Sequence, residues 1–180
     1  MSAASRWKCV YLAYFSQPKP ERPLYRLIRK NRPLRIVELG IGDCRRALRL
    51  IQVAQRYSGT RVSYTGIDLF ESAERLSLKQ AHRLLKPTAA LVRLAPGDPY
   101  SALAAAANSL TGTDLLLISA DQDSTSLEAA WFYVPRMLHP ASVVLREVPQ
   151  SERPPCWQPV SPFEIAQFAA AQTRLRRRAA

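Results

Sequence analysis

The chain has 180 residues, enough for one domain with a sizeable buried core. Hydrophobic residues make up 47% of the sequence and charged residues 22%, which excludes a wholly disordered chain. Apolar runs are too short to span a membrane, and the N-terminal apolar stretch lacks the cleavage site of a signal peptide. The net charge of +12 is compatible with polyanion contact, although a solvated basic surface is the simpler interpretation.

The cysteines and histidines form no metal-binding or disulfide pattern. Cys9, Cys44 and Cys156 are far apart and odd in number, and His82 and His139 lie near no cysteine in the sequence. This spacing argues against a structural zinc site and a disulfide framework, and it predicts a cytoplasmic protein in a reducing compartment.

Short apolar strands alternate with amphipathic helices along most of the chain. Residues 7–15 are aromatic and β-branched and predict an extra strand at a sheet edge. A proline connector and a short basic helix over residues 24–30 follow. The next strands are predicted at residues 35–39, 62–67, 89–94, 115–118 and 142–148. The helices between them are predicted at residues 45–56, 73–85, 101–109 and 126–137.

This alternation predicts an α/β fold. We expect a doubly wound, mostly parallel sheet of five to six strands with helices on both faces. Residues 1–33 form an N-terminal extension and residues 34–148 the nucleotide-binding core. Residues 149–180 hold a proline-rich connector (149–159), a final helix and an arginine-rich tail, with Ser161 and Glu164 as the capping box of that helix.

A glycine-containing turn follows the first strand, in the run from Glu38 to Asp43. Gly40 and Gly42 allow a tight turn and a close approach by a ligand. The helix that follows presents N–H groups and a positive dipole end to an anionic group. A dinucleotide site requires a third glycine, but Cys44 and Arg45 stand there, so the turn favours S-adenosylmethionine (SAM) over NAD.

Two more carboxylates follow the second and third strands, where ligands of parallel sheets bind. Asp68, followed by Leu69, is placed to accept hydrogen bonds from the hydroxyls of an adenosine ribose; the alternative is that Asp68 caps a turn. Asp98 either bonds an adenine amino group or caps the next helix, and these two roles are compatible.

With these three turns in order, residues 34–148 resemble the class I SAM-dependent methyltransferase family, as a divergent and short member. The resemblance implies SAM as cofactor, with Asp68 at its ribose and with Leu69 and Asp98 beside its adenine. Glu38 would orient the glycine turn or meet the amino group of SAM. The cofactor-binding residues implied in this way are Glu38, Gly40, Gly42, Asp43, Asp68, Leu69, Asp98 and Ser119.

Residues 114–147 are similar to one branch of that family, in which the fourth strand commonly ends Ile-Asp-Gly-Asp-His. Here Ser119 stands in place of the first aspartate, and Gln122 replaces the histidine. Metal-assisted methyl transfer requires several hard oxygen ligands. The remaining candidates are Asp121, Asp123 and Glu147, so no metal site is predicted.

The resemblance implies methyl transfer to a small-molecule or polyanionic acceptor that the sequence does not identify. Asp121 is the predicted catalytic base or substrate anchor, unless it only begins the next helix. One alternative is an inactive Rossmann-like binding or scaffold protein, favoured by the changes at Ser119 and Gln122. Another is a nucleic-acid methyltransferase, favoured by the positive charge.

The closing β-hairpin of the family has no evident counterpart after Val148. A bare sheet edge at that point favours a homodimer, unless residues 7–15 cover the edge.

Overall fold

The structure is a computed structural model that describes residues 11–12, 15, 19–70, 76–151 and 154–179. Within these residues the strands are β1 (Arg35–Leu39), β2 (Ser63–Asp68), β3 (Leu91–Pro96), β4 (Thr113–Ile118), β5 (Leu138–Val148) and β6 (Cys156–Pro159). The α-helices are α1 (Arg22–Asn31), α2 (Arg45–Ser58), α3 (Leu78–Leu85), α4 (Pro99–Ala106), α5 (Ser124–Ala130), α6 (Val134–Met137) and α7 (Pro162–Ala179). Short 3-10 turns cover Lys19–Glu21, Lys86–Thr88 and Ala107–Ser109.

One six-stranded sheet runs in the order β3-β2-β1-β4-β5-β6. The first five strands are parallel, and β6 is antiparallel to β5. The predicted doubly wound, mostly parallel α/β fold is therefore confirmed. The strand order reverses between β1 and β4, and ligands of such sheets bind outside the carboxyl ends of the strands at that point.

Each face of the sheet buries its own apolar cluster. In β4, Leu115 and Leu117 belong to one cluster, whereas Leu116 and Ile118 belong to the other. Because neighbouring side chains of a strand point to opposite faces, a strand buried on both sides reads as the continuous apolar run that predicted β4. Helices α1 to α3 cover the first face and α4 to α7 the second.

The proline-rich segment after β5 is more than a connector, which corrects the sequence interpretation. It contains β6, in which Trp157 pairs with Glu147 of β5. The edge that the sequence leaves bare is thus occupied by a short antiparallel strand. Short edge strands discourage pairing with another chain, so the argument for a homodimer through a bare β5 edge does not hold.

The helix predicted over residues 126–137 is two helices, α5 and α6, separated by a turn. Pro135 lies in the first turn of α6. Proline lacks an N–H group and clashes with the carbonyl four residues earlier, here that of Trp131, and this favours a break in the helix.

The strand predicted over residues 7–15 is wrong where the structure tests it. Tyr11 and Leu12 are helical. The other residues of that segment, apart from Phe15, lie outside the described residues, as do residues 73–75 of the helix predicted over 73–85. That helix begins at Leu78 in the structure, after a capping box between Ser77 and Gln80.

The arginine-rich tail continues helix α7 and packs against the domain. Ser161 and Glu164 form the predicted capping box. Near the other end, the Arg176 guanidinium lies 4.3 Å from the ring centroid of Phe132 and 5.2 Å from that of Tyr133. It also donates a hydrogen bond to the Tyr133 hydroxyl at 3.1 Å.

Replacing Arg176 with alanine lowers the melting temperature, because the aromatic rings lose both their cation and a hydrogen-bond donor. Arg178→Ala is the matched control, since Arg178 is exposed and lies in the same part of the helix. Thermal unfolding followed by circular dichroism measures both variants. Equal melting temperatures for the two would contradict the packing of the tail.

Among the described residues, every helix is too short or too polar to cross a membrane.

Candidate functional site

The turn after β1 depends on backbone conformations that favour glycine. Gly40 and Gly42 have φ of +83° and +53°. Cys44, which caps α2, also has a positive φ of +63°. These left-handed conformations reverse the chain between β1 and α2 within a few positions. Glycine adopts such a conformation with little strain.

Gly40 also brings the turn into contact with the loop after β4. A Cβ atom at this position would lie 2.8 Å from Asp121 Oδ1 and 2.8 Å from Ser119 Cβ, and closer still to the side-chain amide of Gln122. The predicted base or anchor, Asp121, therefore lies directly beside the glycine turn.

Gly40→Ala is expected to destabilise the domain more than Gly59→Ala. Both glycines have a positive φ, which costs a substituted residue roughly 1–2 kcal/mol. A Cβ at Gly59 would meet no atom within 4 Å, whereas one at Gly40 would displace the β4 loop. Urea denaturation of the two variants isolates the contribution of the contact, and equal losses would show that the loops do not touch.

Glu38, at the end of β1, is fully buried behind the turn, with 0% of its surface exposed. It accepts hydrogen bonds from Arg46 Nε at 2.5 Å and from the Tyr64 hydroxyl. Arg46 Nη2 in turn donates to the Gly40 carbonyl at 2.7 Å. Of the two roles considered for Glu38, this geometry favours orienting the turn, through Arg46.

Glu147, at the end of β5, joins this network from the other side of β4. Its Oε2 accepts hydrogen bonds from Ser119 Oγ at 3.0 Å and Ala120 N at 3.2 Å, and it lies 3.6 Å from Arg46 Nη1. Burial by itself lowers the pKa of the Arg46 guanidinium, but Glu38 and Glu147 outweigh it and raise that pKa above its ordinary value.

Arg46 is a largely buried, charged site residue that the sequence analysis did not predict. Its side chain is only 14% exposed, and its guanidinium lies 5.0 Å from the ring centroid of Trp157 in β6. Its partners Glu147 and Trp157 are more than 100 positions away, and the sequence has 26 lysines and arginines. The local signal that could have pointed to Arg46 was the position of its partners Glu38 and Glu147 at strand ends.

Asp68 holds the glycine turn directly. Its side chain is 3% exposed, and Oδ2 accepts hydrogen bonds from Ile41 N at 2.8 Å and Gly42 N at 2.9 Å. Asp68 thus caps a turn in the structure, which is the alternative role considered for it from the sequence. Leu69, the next residue, is 50% exposed and offers an apolar surface at the same edge of the sheet.

Asp98 caps helix α4. Its Oδ1 accepts hydrogen bonds from Tyr100 N at 3.0 Å and Ser101 N at 3.2 Å, and the hydroxyl of Ser126 also donates to it. Burial raises the pKa of Asp98, but the hydrogen bonds from Ser101, Ser126 and the backbone outweigh this and lower the pKa to about 2. The carboxylate is therefore ionised at neutral pH.

Asp43 and Asp121 are exposed at the surface of the site. Asp43 Oδ2 lies 3.3 Å from Arg45 Nε, and Asp121 Oδ1 accepts a hydrogen bond from Gln122 Nε2 at 2.8 Å. The cap of α5 is Asp123, whose carboxylate accepts from the backbone.

A cleft of about 500 Å³ opens beside the glycine turn. Its lining residues are Glu21, Gly40, Ile41, Gly42, Asp43, Arg45, Arg46, Arg49 and Ser119. Of the predicted cofactor residues, the cleft brings together both glycines, Asp43 and Ser119. Asp68, Leu69 and Asp98 lie outside its lining, at the ends of β2 and β3 on the same edge of the sheet. Glu38 lies behind it.

The described cysteines and both histidines lie outside the lining of this cleft. Burial, with the nearby carboxylates Glu38, Asp43 and Asp68, raises the pKa of the Cys44 thiol to about 12. His139 Nε2 lies 3.0 Å from Asp114 Oδ1 near the start of β4, at the opposite edge of the sheet from the glycine turn. Within the described residues, His, Cys, Asp and Glu side chains form no group of three or more suited to a metal ion.

Solved methyltransferase structures are among those that match this fold. The O-methyltransferase TomG from Streptomyces achromogenes, solved in complex with SAM, matches 97% of this chain and 78% of its own at 14% identity and a TM-score of 0.56. A putative O-methyltransferase from Klebsiella pneumoniae matches 96% and 74% at 15% identity and a TM-score of 0.54.

The methyltransferase domain of bacterial CtHen1 matches 72% of this chain at 16% identity and a TM-score of 0.50. The match spans 65% of that domain, slightly less than two thirds of its length. No family model and no curated protein matches the sequence.

The sheet order, the glycine turn and the structural matches define the class: the chain has the fold of the class I SAM-dependent methyltransferases. Among the described residues, β6 is the single antiparallel strand of the sheet.

Proposed function

We propose that the protein is a SAM-dependent methyltransferase that acts on a small-molecule acceptor. The observation that carries this proposal is the glycine turn itself. Asp68 holds the turn from β2, the Glu38–Arg46 pair holds it from beneath, and the turn lines an open cleft next to Asp121. A ligand site whose backbone is fixed in advance loses little entropy on binding.

The residues present fit SAM. The turn and Ser119 would face its amino-acid end, since they line the cleft. Asp68 would accept a hydrogen bond from a ribose hydroxyl. Leu69 would lie against the adenine, with Asp98 beside the same ring. When bound, SAM supplies an electrophilic methyl group on a sulfonium, and the protein's task is chiefly to position the acceptor.

Asp121 is the proposed base or acceptor anchor. It is exposed, it contacts the glycine turn, and its carboxylate is held by Gln122 at 2.8 Å. A carboxylate in this place can orient an acceptor hydroxyl and take up its proton. Glu147 is less suited, because its oxygen Oε2 is already engaged by Ser119, Ala120 and Arg46.

The charges around the cleft favour a small acceptor over a polyanion. Each arginine that lines the cleft has a carboxylate partner. The three pairs are Arg45–Asp43, Arg46–Glu38 and Arg49–Glu21. A site that recognises nucleic acid through its phosphates requires unpaired cations, so the nucleic-acid alternative gains no support from this cleft.

Calorimetric titration with SAM and S-adenosylhomocysteine, with NAD and ATP as controls, tests the proposal. We expect dissociation constants of the order of micromolar for the first two ligands and no binding of the controls. If none of the four binds, the scaffold alternative is correct and the glycine turn has only a structural role.

A further inference from the structure

A second cleft lies at the opposite edge of the sheet from the glycine turn. Its volume is about 730 Å³, and it is lined by the first residues of β1, β2, β3 and β4. Five residues of β1 separate the two edges, a distance of about 15 Å. We call it the amino-end cleft. It is separate from the proposed cofactor site.

The fixed charges of the amino-end cleft are all positive. Its lining includes four cations, Arg35, Arg61, Lys86 and Arg93, and no aspartate or glutamate. All four side chains are exposed, and none forms an ion pair within the part of the chain that the structure describes. The cleft beside the glycine turn differs in this respect, because each arginine that lines it forms an ion pair.

Three of these cations are held in place by neutral partners. Arg35 donates to the Thr111 carbonyl, Arg61 Nε donates to the Ala89 carbonyl at 3.1 Å, and Arg93 Nη1 donates to Ser109 Oγ at 2.8 Å. Neutral acceptors orient a guanidinium without cancelling its charge, and each guanidinium keeps further N–H groups for a ligand. The arginines are thus ordered and remain positive.

The cations stand on opposite walls of a compact space. Lys86 lies in the turn before β3, and the Arg61 side chain donates to the same turn. The Arg35 and Arg93 side chains donate to the turn before β4. In the sheet order, β2 and β1 lie between these two strands and form the floor. Serine and threonine hydroxyls add neutral hydrogen-bonding groups. His82 is the one ring side chain among the described lining residues, which include no phenylalanine, tyrosine or tryptophan.

We propose that the amino-end cleft binds a compact ligand that carries two or more linked phosphate groups. Arginine forks and hydroxyls match phosphate oxygens, and cations on both walls match a ligand with charge at both ends. A lining without phenylalanine, tyrosine or tryptophan offers no row of rings on which successive bases could stack. This favours an oligophosphate over a single-stranded polynucleotide.

Calorimetry with inorganic tripolyphosphate tests this assignment. We expect one ion bound per chain, at an affinity that S-adenosylhomocysteine does not change. The double variant Arg61→Gln/Arg93→Gln should weaken binding about 10-fold or more, because it removes two charge-assisted donors. Arg177→Gln/Arg178→Gln is the matched control: it removes the same charge from an exposed helix end and should leave the affinity within about 2-fold.

Three results would overturn the proposal. One is the absence of tripolyphosphate binding to the wild-type protein. Another is an equal loss in both double variants, which would show a diffuse charge effect and no defined site. The third is binding of a short single-stranded oligonucleotide that tripolyphosphate does not displace. Circular dichroism spectra establish that the variants are folded, and because the probe is independent of SAM, the result does not depend on the proposed methyltransferase activity.

Discussion

Replacing Arg46 with methionine lowers the free energy of unfolding by about 3–5 kcal/mol, because it leaves buried carboxylates without their cation. Glu38 is fully buried, and Glu147 lies close to the same guanidinium. Methionine preserves most of the apolar volume against Trp157, so the loss measures charge and hydrogen bonding more than a cavity. Guanidinium denaturation followed by far-ultraviolet circular dichroism gives the free energies.

Arg45→Met is the matched control for this variant. Arg45 is the preceding residue, its side chain is 78% exposed, and its pair with Asp43 is at the surface. We expect Arg45→Met to change the free energy of unfolding by less than about 0.5 kcal/mol. The double variant Glu38→Gln/Arg46→Met should recover part of the stability, since the introduced amide can still accept a hydrogen bond from Tyr64 without carrying a buried charge. Equal effects of the two single variants would contradict the network.

Replacing Asp68 with asparagine weakens the binding of S-adenosylhomocysteine by about 100-fold, while most of the fold stability is retained. Asparagine keeps one oxygen to accept hydrogen bonds from the Ile41 and Gly42 amides, but it loses the charge that strengthens those bonds and the second oxygen that could accept from a ribose hydroxyl. Asp68→Ala leaves both amides without an acceptor and costs a further 1–3 kcal/mol, about the penalty of an unsatisfied buried donor. Calorimetry and urea denaturation separate the two effects.

Asp114→Asn provides the control, because Asp114 has the same structural role at the opposite edge of the sheet. Its Oδ2 accepts hydrogen bonds from Leu34 N and Arg35 N, both at 2.8 Å. We expect a smaller change in stability, because the Asp114 side chain is 32% exposed, and unchanged affinity for S-adenosylhomocysteine. Wild-type affinity in both Asp68 variants would refute a role of this carboxylate in the cofactor site.

The parallel core could be predicted because its signals are local. The apolar run of β4, the amphipathic spacing of α2 and the glycines after β1 each lie within one element. The edge strand β6 could not be predicted, since it has four residues and ends at Pro159. Its strand conformation comes from pairing with β5, a contact that no local pattern specifies.

The location of the candidate site could likewise be predicted from local signals, whereas its long-range contacts could not. Its carboxylates follow strand ends, so their approximate place could be inferred, and Asp68 and Asp98 lie at the expected edge. The sequence left open whether each carboxylate faces a ligand or binds groups of the protein itself. Asp68 and Asp98 cap backbone groups of the protein itself, and Glu38 turns away from the cleft toward Arg46. The orientation of Glu38 depends on burial and on Arg46, which is itself held by the distant residues Trp157 and Glu147.

The most direct test of the central proposal is an amide nuclear magnetic resonance titration with S-adenosylhomocysteine. We predict that the largest shift changes fall on Gly40 to Asp43, Leu69, the Asp98 cap and Ser119, with Arg61 and Arg93 in the amino-end cleft unaffected. Saturable changes at those positions would locate the cofactor at the carboxyl edge of the sheet. No change, or changes confined to the amino-end cleft, would contradict a methyltransferase site at the glycine turn.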